Sequence, residues 1–273
     1  MTINISTSQR WTDSAAISGQ EDESAGWIYR PQPVAYPRQR LFCFPYAGGN
    51  ALMFRRWPAW LPADVELCGI VLPGHGARVS EPARTDLLSV SQDIAGVIAH
   101  YCDVPFAFFG HSFGALLAFE VTRVLRQRGV TPPAHLLVSA RQAPDHGIDE
   151  ASAPAVTDDA AMLARLERLG GTPRELLADE QLMSLLLPAF KADFIALDRW
   201  RNRVEPPLRV PITALAGVED RSVSVESMRR WSAHTTGRFN FHLLDGDHFF
   251  IHSQEQALVR LVTQAIVDNS EAG

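Results

Sequence analysis

The 273 residues are 46% hydrophobic and 21% charged, an ordinary composition for a chain that buries a core, and the length suits one large α/β domain. The formal net charge of -6 argues against non-specific nucleic-acid binding, which needs a basic surface. No apolar run reaches membrane-spanning length, the N-terminus lacks the basic start and apolar run of a secretory signal, and Cys43, Cys68 and Cys102 show no C-x-x-C spacing, so a cytoplasmic monomer without disulfide framework, metal or membrane anchor is expected.

Residues 1–26 are rich in Ser, Thr, Gln, Asp and Glu and lack apolar periodicity; a flexible N-terminal tail is expected there. A single domain over 27–273 should follow. Its first strong strand is Arg40-Leu-Phe-Cys-Phe44, short and apolar as a strand buried on both faces should be. Beyond the loop Pro45-Tyr-Ala-Gly-Gly49, Asn50 to Leu61 reads as the start of a helix. Val65 to Leu72 is a second strand, Leu87 to Tyr101 a helix, and Pro105 to Gly110 a third strand. A helix from Gly114 to Arg128 leads to a fourth strand, His135 to Ala140. Ile212 to Gly217 and Phe239 to Leu244 are two more, followed by helices near 224–234 and 254–267. This alternation predicts a mostly parallel sheet with helices on both faces and a site at the carboxyl ends of its strands.

Residues 141–203 break the alternation. Met162, Leu163, Leu166 and Leu169 share one helical face, and Leu186, Phe190, Phe194 and Leu197 share another, with Pro188 placed to kink it. The segment reads as a helical lid inserted over the site, against the plainer alternative of surface helices packed on the core. Cys43 and Cys68 lie inside apolar runs and are expected to be buried core residues.

Gly110-His-Ser-Phe-Gly114 is a Gly-x-Ser-x-Gly motif with an apolar strand before it and a helix after it. That context marks the nucleophile elbow of the α/β-hydrolase fold, in which flanking side chains would clash at a sharp strand-to-helix turn. Ser112 is therefore the expected nucleophile. In this fold the acid and then the base follow the serine in the chain. Of the later histidines, His248 falls in the loop after the last strand; His252 lies towards the final helix. Asp220 follows the preceding strand, with Glu219 as rival. Asp245 and Asp247 suit a turn around Gly246. The oxyanion donors are expected to be the N–H of Phe113 and of Ala47, with Tyr46 as the alternative to Ala47.

Phe42-Cys-Phe-Pro-Tyr-Ala-Gly-Gly49, Leu72-Pro-Gly74 with Arg78, Gly110-His-Ser-Phe-Gly114 and Gly246-Asp-His-Phe-Phe250 together resemble the type II thioesterases of polyketide and nonribosomal peptide assembly lines. Leu186-Leu-Pro-Ala-Phe-Lys-Ala-Asp-Phe194 is similar to that family's lid helix. The resemblance runs from about Trp27 to the C-terminus; the first 26 residues have no counterpart, and His75 stands where the family commonly has Arg. It implies hydrolysis of aberrant or stalled acyl groups from the phosphopantetheine arm of acyl or peptidyl carrier proteins. Ser112, Asp220 and His248 would be the triad, with no cofactor of the protein's own. Tyr46, Phe190 and Phe194 would contact substrate. Alternatives that share these residues are a small-ester esterase or lipase and a medium-chain fatty acyl thioesterase; a silent carrier-protein binding module is the non-enzyme alternative. Arg199, Arg201 and Arg203, or Arg229 and Arg230, are the basic clusters at hand for an acidic carrier, though solvated surface charge is the plainer reading.

Overall fold

A computed structural model describes residues 26–146 and 158–270. The expected tail lies outside them apart from Gly26, as do residues 147–157 of the expected insertion. Seven strands, β1 (Ile28–Tyr29), β2 (Gln39–Phe44), β3 (Val65–Ile70), β4 (Phe106–His111), β5 (His135–Ser139), β6 (Ile212–Gly217) and β7 (Phe239–Leu244), form one sheet. Their order is β1-β3-β2-β4-β5-β6-β7. Every pair is parallel except β1 with β3. The sequence carries no signal for β1, because two residues are too few to show a period.

Alternation along β2 explains the two-sided core. Phe42 and Phe44 pack with α1 (Leu87–Ala99) and α2 (Phe113–Gln127) on one face. Leu41 and Cys43 pack on the other, with residues of the C-terminal helix Glu255–Ser270. Cys68 is buried as well, and burial pushes its thiol up to about 12. Asn50 to Leu61 departs from the expected helix: it forms two 3-10 turns, Ala51–Phe54 and Trp57–Ala59. Phe54 closes the first turn and Trp57 opens the second, and their rings meet each other and Phe109 in the core. Pro58 at the head of the second turn has no N–H to continue an α-helical ladder.

The described residues between β5 and β6 form no strand, only a 3-10 turn (Pro144–His146) and three helices, α3 (Asp159–Leu169), α4 (Arg174–Leu177) and α5 (Glu180–Arg199). Asp158 and Asp179 cap the first and last of them through the N–H of Ala161 and Leu182. The helix α5 continues through Pro188. Met162, Leu166, Leu187, Phe190 and Phe194 form a small core of their own, so both stripes read from the sequence face inward. After β6 and β7 come α6 (Val225–Arg229), α7 (Phe250–Ser253) and α8 (Glu255–Ser270). No helix among the described residues is long and apolar enough to cross a membrane.

The start of α2 presses directly on the sheet. A Cβ at Gly114 would lie 2.1 Å from the Phe44 carbonyl oxygen and 2.5 Å from that of Pro45. Both obstacles are backbone and cannot swing aside. Gly114→Ala should therefore lower the unfolding free energy by about 3 kcal/mol or more, read as a shift of the urea midpoint; a change below about 0.5 kcal/mol, the scale of an ordinary surface substitution, would show that the contact is not rigid.

Candidate active site

Three loops at the carboxyl ends of β4, β6 and β7 converge on one point. Ser112, between β4 and α2, has φ 53 and ψ −113, a region that costs a non-glycine residue. Its N–H donates to the Ser139 carbonyl at 2.7 Å, which ties the turn to the neighbouring strand. The Ser112 hydroxyl lies 3.0 Å from His248 Nε2, and His248 Nδ1 lies 2.8 Å from Asp220 Oδ2. With Nδ1–H donating to the carboxylate, Nε2 is left as the acceptor for the serine proton. Asp220 also accepts from the N–H groups of Ser222 and Val223 and from the Ser222 hydroxyl. Burial pushes its carboxyl up, but His248 and Ser222 outweigh this and hold it below the ordinary value. Glu219 is exposed. Asp247 caps the N–H of Phe249 in the turn around Gly246.

His111, inside the Gly-x-Ser-x-Gly motif, is a strut that the sequence pattern does not reveal. Its Nε2 is 2.9 Å from the His248 carbonyl and its Nδ1 is 2.9 Å from Ser139 Oγ. A carbonyl can only accept, so Nε2 carries the proton and Nδ1 accepts from Ser139. Burial, reinforced by His248, drives the His111 pKa well down, which keeps the ring neutral in that tautomer.

A cavity of about 240 Å³ opens beside Ser112 and His248. Tyr46, Ala47, Phe190 and Phe194 line it, so the expected substrate contacts and the expected oxyanion donor Ala47 meet there. Phe113 turns its ring into the main core and offers only its backbone to the site. The N–H groups of Ala47 and Phe113 donate to no other described residue. Tyr46 OH is 3.0 Å from His252 Nε2, and His252 is otherwise exposed on α7. The basic clusters are largely engaged within the chain: Arg203 pairs with Glu120, Arg230 with Asp145, and Arg229 lies over the Phe241 ring. Arg199 reaches Thr85, and Arg201 the Asp198 and Trp200 carbonyls.

A central serine on an elbow, backed by imidazole and carboxylate on a doubly covered parallel sheet, defines a serine hydrolase of the α/β-hydrolase fold. Residues 39–266 match the thioesterase domain model, and the chain belongs to the thioesterase family. Linear gramicidin dehydrogenase LgrE of Brevibacillus parabrevis is 37% identical, over 88% of this chain and 92% of that one. Thioesterase PikA5 of Streptomyces venezuelae is 35% identical, over 85% of this chain and 82% of its own length. Among solved structures, the type II thioesterase BorB from the borrelidin biosynthetic cluster superposes with a TM-score of 0.80 at 32% identity, over 88% of this chain and 97% of BorB.

The departure at His75 has a local partner. His75 is buried, and its Nε2 lies 2.9 Å from Asp193 Oδ2 on α5; the same oxygen accepts from the Gly48 N–H at 2.7 Å. A Cβ at Gly48, which has φ +71, would sit 1.9 Å from the Phe190 ring. Only glycine lets α5 come so close to the loop that carries Ala47. Burial lowers the His75 pKa, but the charge and hydrogen bond of Asp193 and the Pro73 carbonyl prevail and raise it. A raised folded-state pKa stabilises fully below the ordinary imidazole value of 6.5 and loses that stabilisation as pH climbs through the raised value. The Tm deficit of His75→Gln should thus be larger at about pH 6 than at about pH 9. An equal deficit at both would mean that the imidazole is not charged against Asp193.

Proposed function

We propose that this chain is a stand-alone editing thioesterase that clears stalled or wrong acyl groups from the phosphopantetheine arm of acyl or peptidyl carrier proteins. The observation that carries this reading is the Ser112–His248–Asp220 relay, 3.0 and 2.8 Å between its members, at the mouth of a small cavity walled by the inserted helices. Ser112 Oγ attacks the thioester carbonyl carbon while His248 Nε2 takes its proton. The Ala47 and Phe113 N–H groups hold the oxyanion, which the ground state lacks, and so favour the transition state. Collapse breaks the C–S bond, and the imidazolium returns its proton to the departing pantetheine sulfur. Water then attacks the acyl-serine, His248 takes a proton from it, and the same proton goes back to Ser112 as the acid leaves. Asp220 fixes the imidazole tautomer and stabilises the imidazolium throughout. No cofactor of the protein's own enters these steps.

The helices α3 to α5 act as the lid. The cavity, about 240 Å³, is below the usual range for drug-sized ligands and suits a short acyl group. Type II thioesterases of assembly lines, BorB among them, support the carrier-bound substrate, and a cytoplasmic monomer would meet such carriers. The dehydrogenase name of one relative stays with that protein. A dinucleotide would call for Gly-x-Gly-x-x-Gly after a strand, whereas the loop after β2 is Pro-Tyr-Ala-Gly-Gly and its Gly48 abuts Phe190.

Ser112→Ala should lose thioester hydrolysis by about 10⁴-fold or more with an unchanged urea midpoint; undiminished turnover would rule the mechanism out. For the wild type, kcat/KM should be higher on a short-acyl carrier protein than on a simple oxyester of the same acid. A preference for the oxyester would make the protein an esterase. Failure of a fluorophosphonate to label Ser112 would leave only a binding module.

A further inference from the structure

Ser112 and Ala140 are the two non-glycine residues with positive φ among those described; Ala140 has φ 49. Ala140 directly follows β5, and its N–H donates to the Leu215 carbonyl at 2.9 Å. A left-handed alanine is strained and persists only where its surroundings over-determine it. Here the bend carries the chain from the sheet to Arg141, which lines the same cavity as Ser112 and His248. The Arg141 carbonyl is held by Trp231 Nε1 at 2.7 Å. Its Nε is buried and makes no hydrogen bond to any described residue.

Two more charged side chains line this cavity: Arg165 from α3 and Asp198 from α5. Arg165 Nη1 and Asp198 Oδ2, both buried, face each other 3.7 Å apart as an ion pair. Two cations and one anion leave a single positive charge in excess. Burial brings the Arg141 guanidinium down to about 10, with Asp198 opposing the fall, so it remains a cation at neutral pH. A wall built only to hold alkyl chains has no use for a buried guanidinium nitrogen that has no partner among the described residues and costs stability while it stays so.

We propose that Arg141 is a specificity-determining residue, placed to receive an oxygen acceptor carried by the acyl chain beyond its thioester carbonyl. The inference rests on the thioesterase reading above and names its substrate class: oxygenated acyl groups, keto or carboxylate, in preference to plain alkanoyl groups of equal length. A keto or carboxylate oxygen gives the guanidinium fork the partner it lacks; a methylene leaves it unpaired.

Butyryl, acetoacetyl and malonyl pantetheine thioesters are near-isosteric and separate the alkyl, neutral-oxygen and anionic cases. Their kcat/KM values should be compared between wild type and Arg141→Met, so that intrinsic reactivity cancels. The acetoacetyl-to-butyryl and malonyl-to-butyryl ratios should both fall about tenfold or more in the variant, with butyryl turnover little changed. Asp198→Asn should move the malonyl ratio upward, because it removes the opposing anion. Fluorophosphonate labelling of Ser112 marks each variant as intact, and Arg141→Gln, read in the same way, decides if Arg141→Met is not labelled. Unchanged ratios with butyryl hydrolysis intact would overturn this inference alone. Absence of hydrolysis of all three thioesters by the wild type would overturn the thioesterase reading and this inference with it.

Discussion

The contact between the first turn of α2 and the end of the sheet sets the position of everything else in the site. Gly110 faces the backbone of Gly114, and Gly114 that of Phe44 and Pro45: a Cβ on Gly110 would lie 2.2 Å from the Gly114 carbonyl oxygen. With no side chains between them, strand and helix meet at a bend tight enough to hold Ser112 at positive φ. The hydroxyl then stands above the strand ends, and the helix N-terminus presents its N–H groups beside it. The remaining partners come from β6 and β7, the second and third strands along from β4. Sheet order therefore fixes how far the loops carrying Asp220 and His248 must reach. His111 closes the arrangement, since one neutral ring joins the serine turn, Ser139 and the backbone of His248.

Much of this was legible in the sequence because it depends on local rules. The strand–turn–helix context around Ser112 and the chain order Ser, Asp, His pointed to residues that the fold brings within hydrogen-bond reach. The double burial of β2 was written in an unbroken apolar run. The stripes of Leu166 and Phe190 announced an insertion whose faces turn inward. What escaped was either too short or too long-range. The strand Ile28–Tyr29 has no period to detect. The helical reading of Asn50 to Leu61 was overruled by the packing of Phe54 and Trp57 against Phe109. Ser222 and His111 are small parts of long-range hydrogen-bond networks, and no spacing predicts those.

His75 and Asp193 show the limit most clearly. Each stands in a segment that carries the family resemblance, one as a departure from the family's usual residue and the other inside the lid-helix segment. They are 118 positions apart in the chain. Nothing in the one-dimensional pattern says that the imidazole at one and the carboxylate at the other share a buried hydrogen bond, or that the Gly48 N–H completes it. Likewise Arg141 sits in a stretch with no motif at all, and only the shared cavity links it to Ser112.

The helix α5 does two jobs with adjoining residues. Phe190 and Phe194 wall the cavity, and Asp193 grips the loop that carries Ala47. A rigid helix cannot move one without the other. The 2.7 Å bond from the Gly48 N–H to Asp193 ties that loop to the helix. The wall of the cavity and the seat of the Ala47 loop are thus set by neighbouring residues of a single helix.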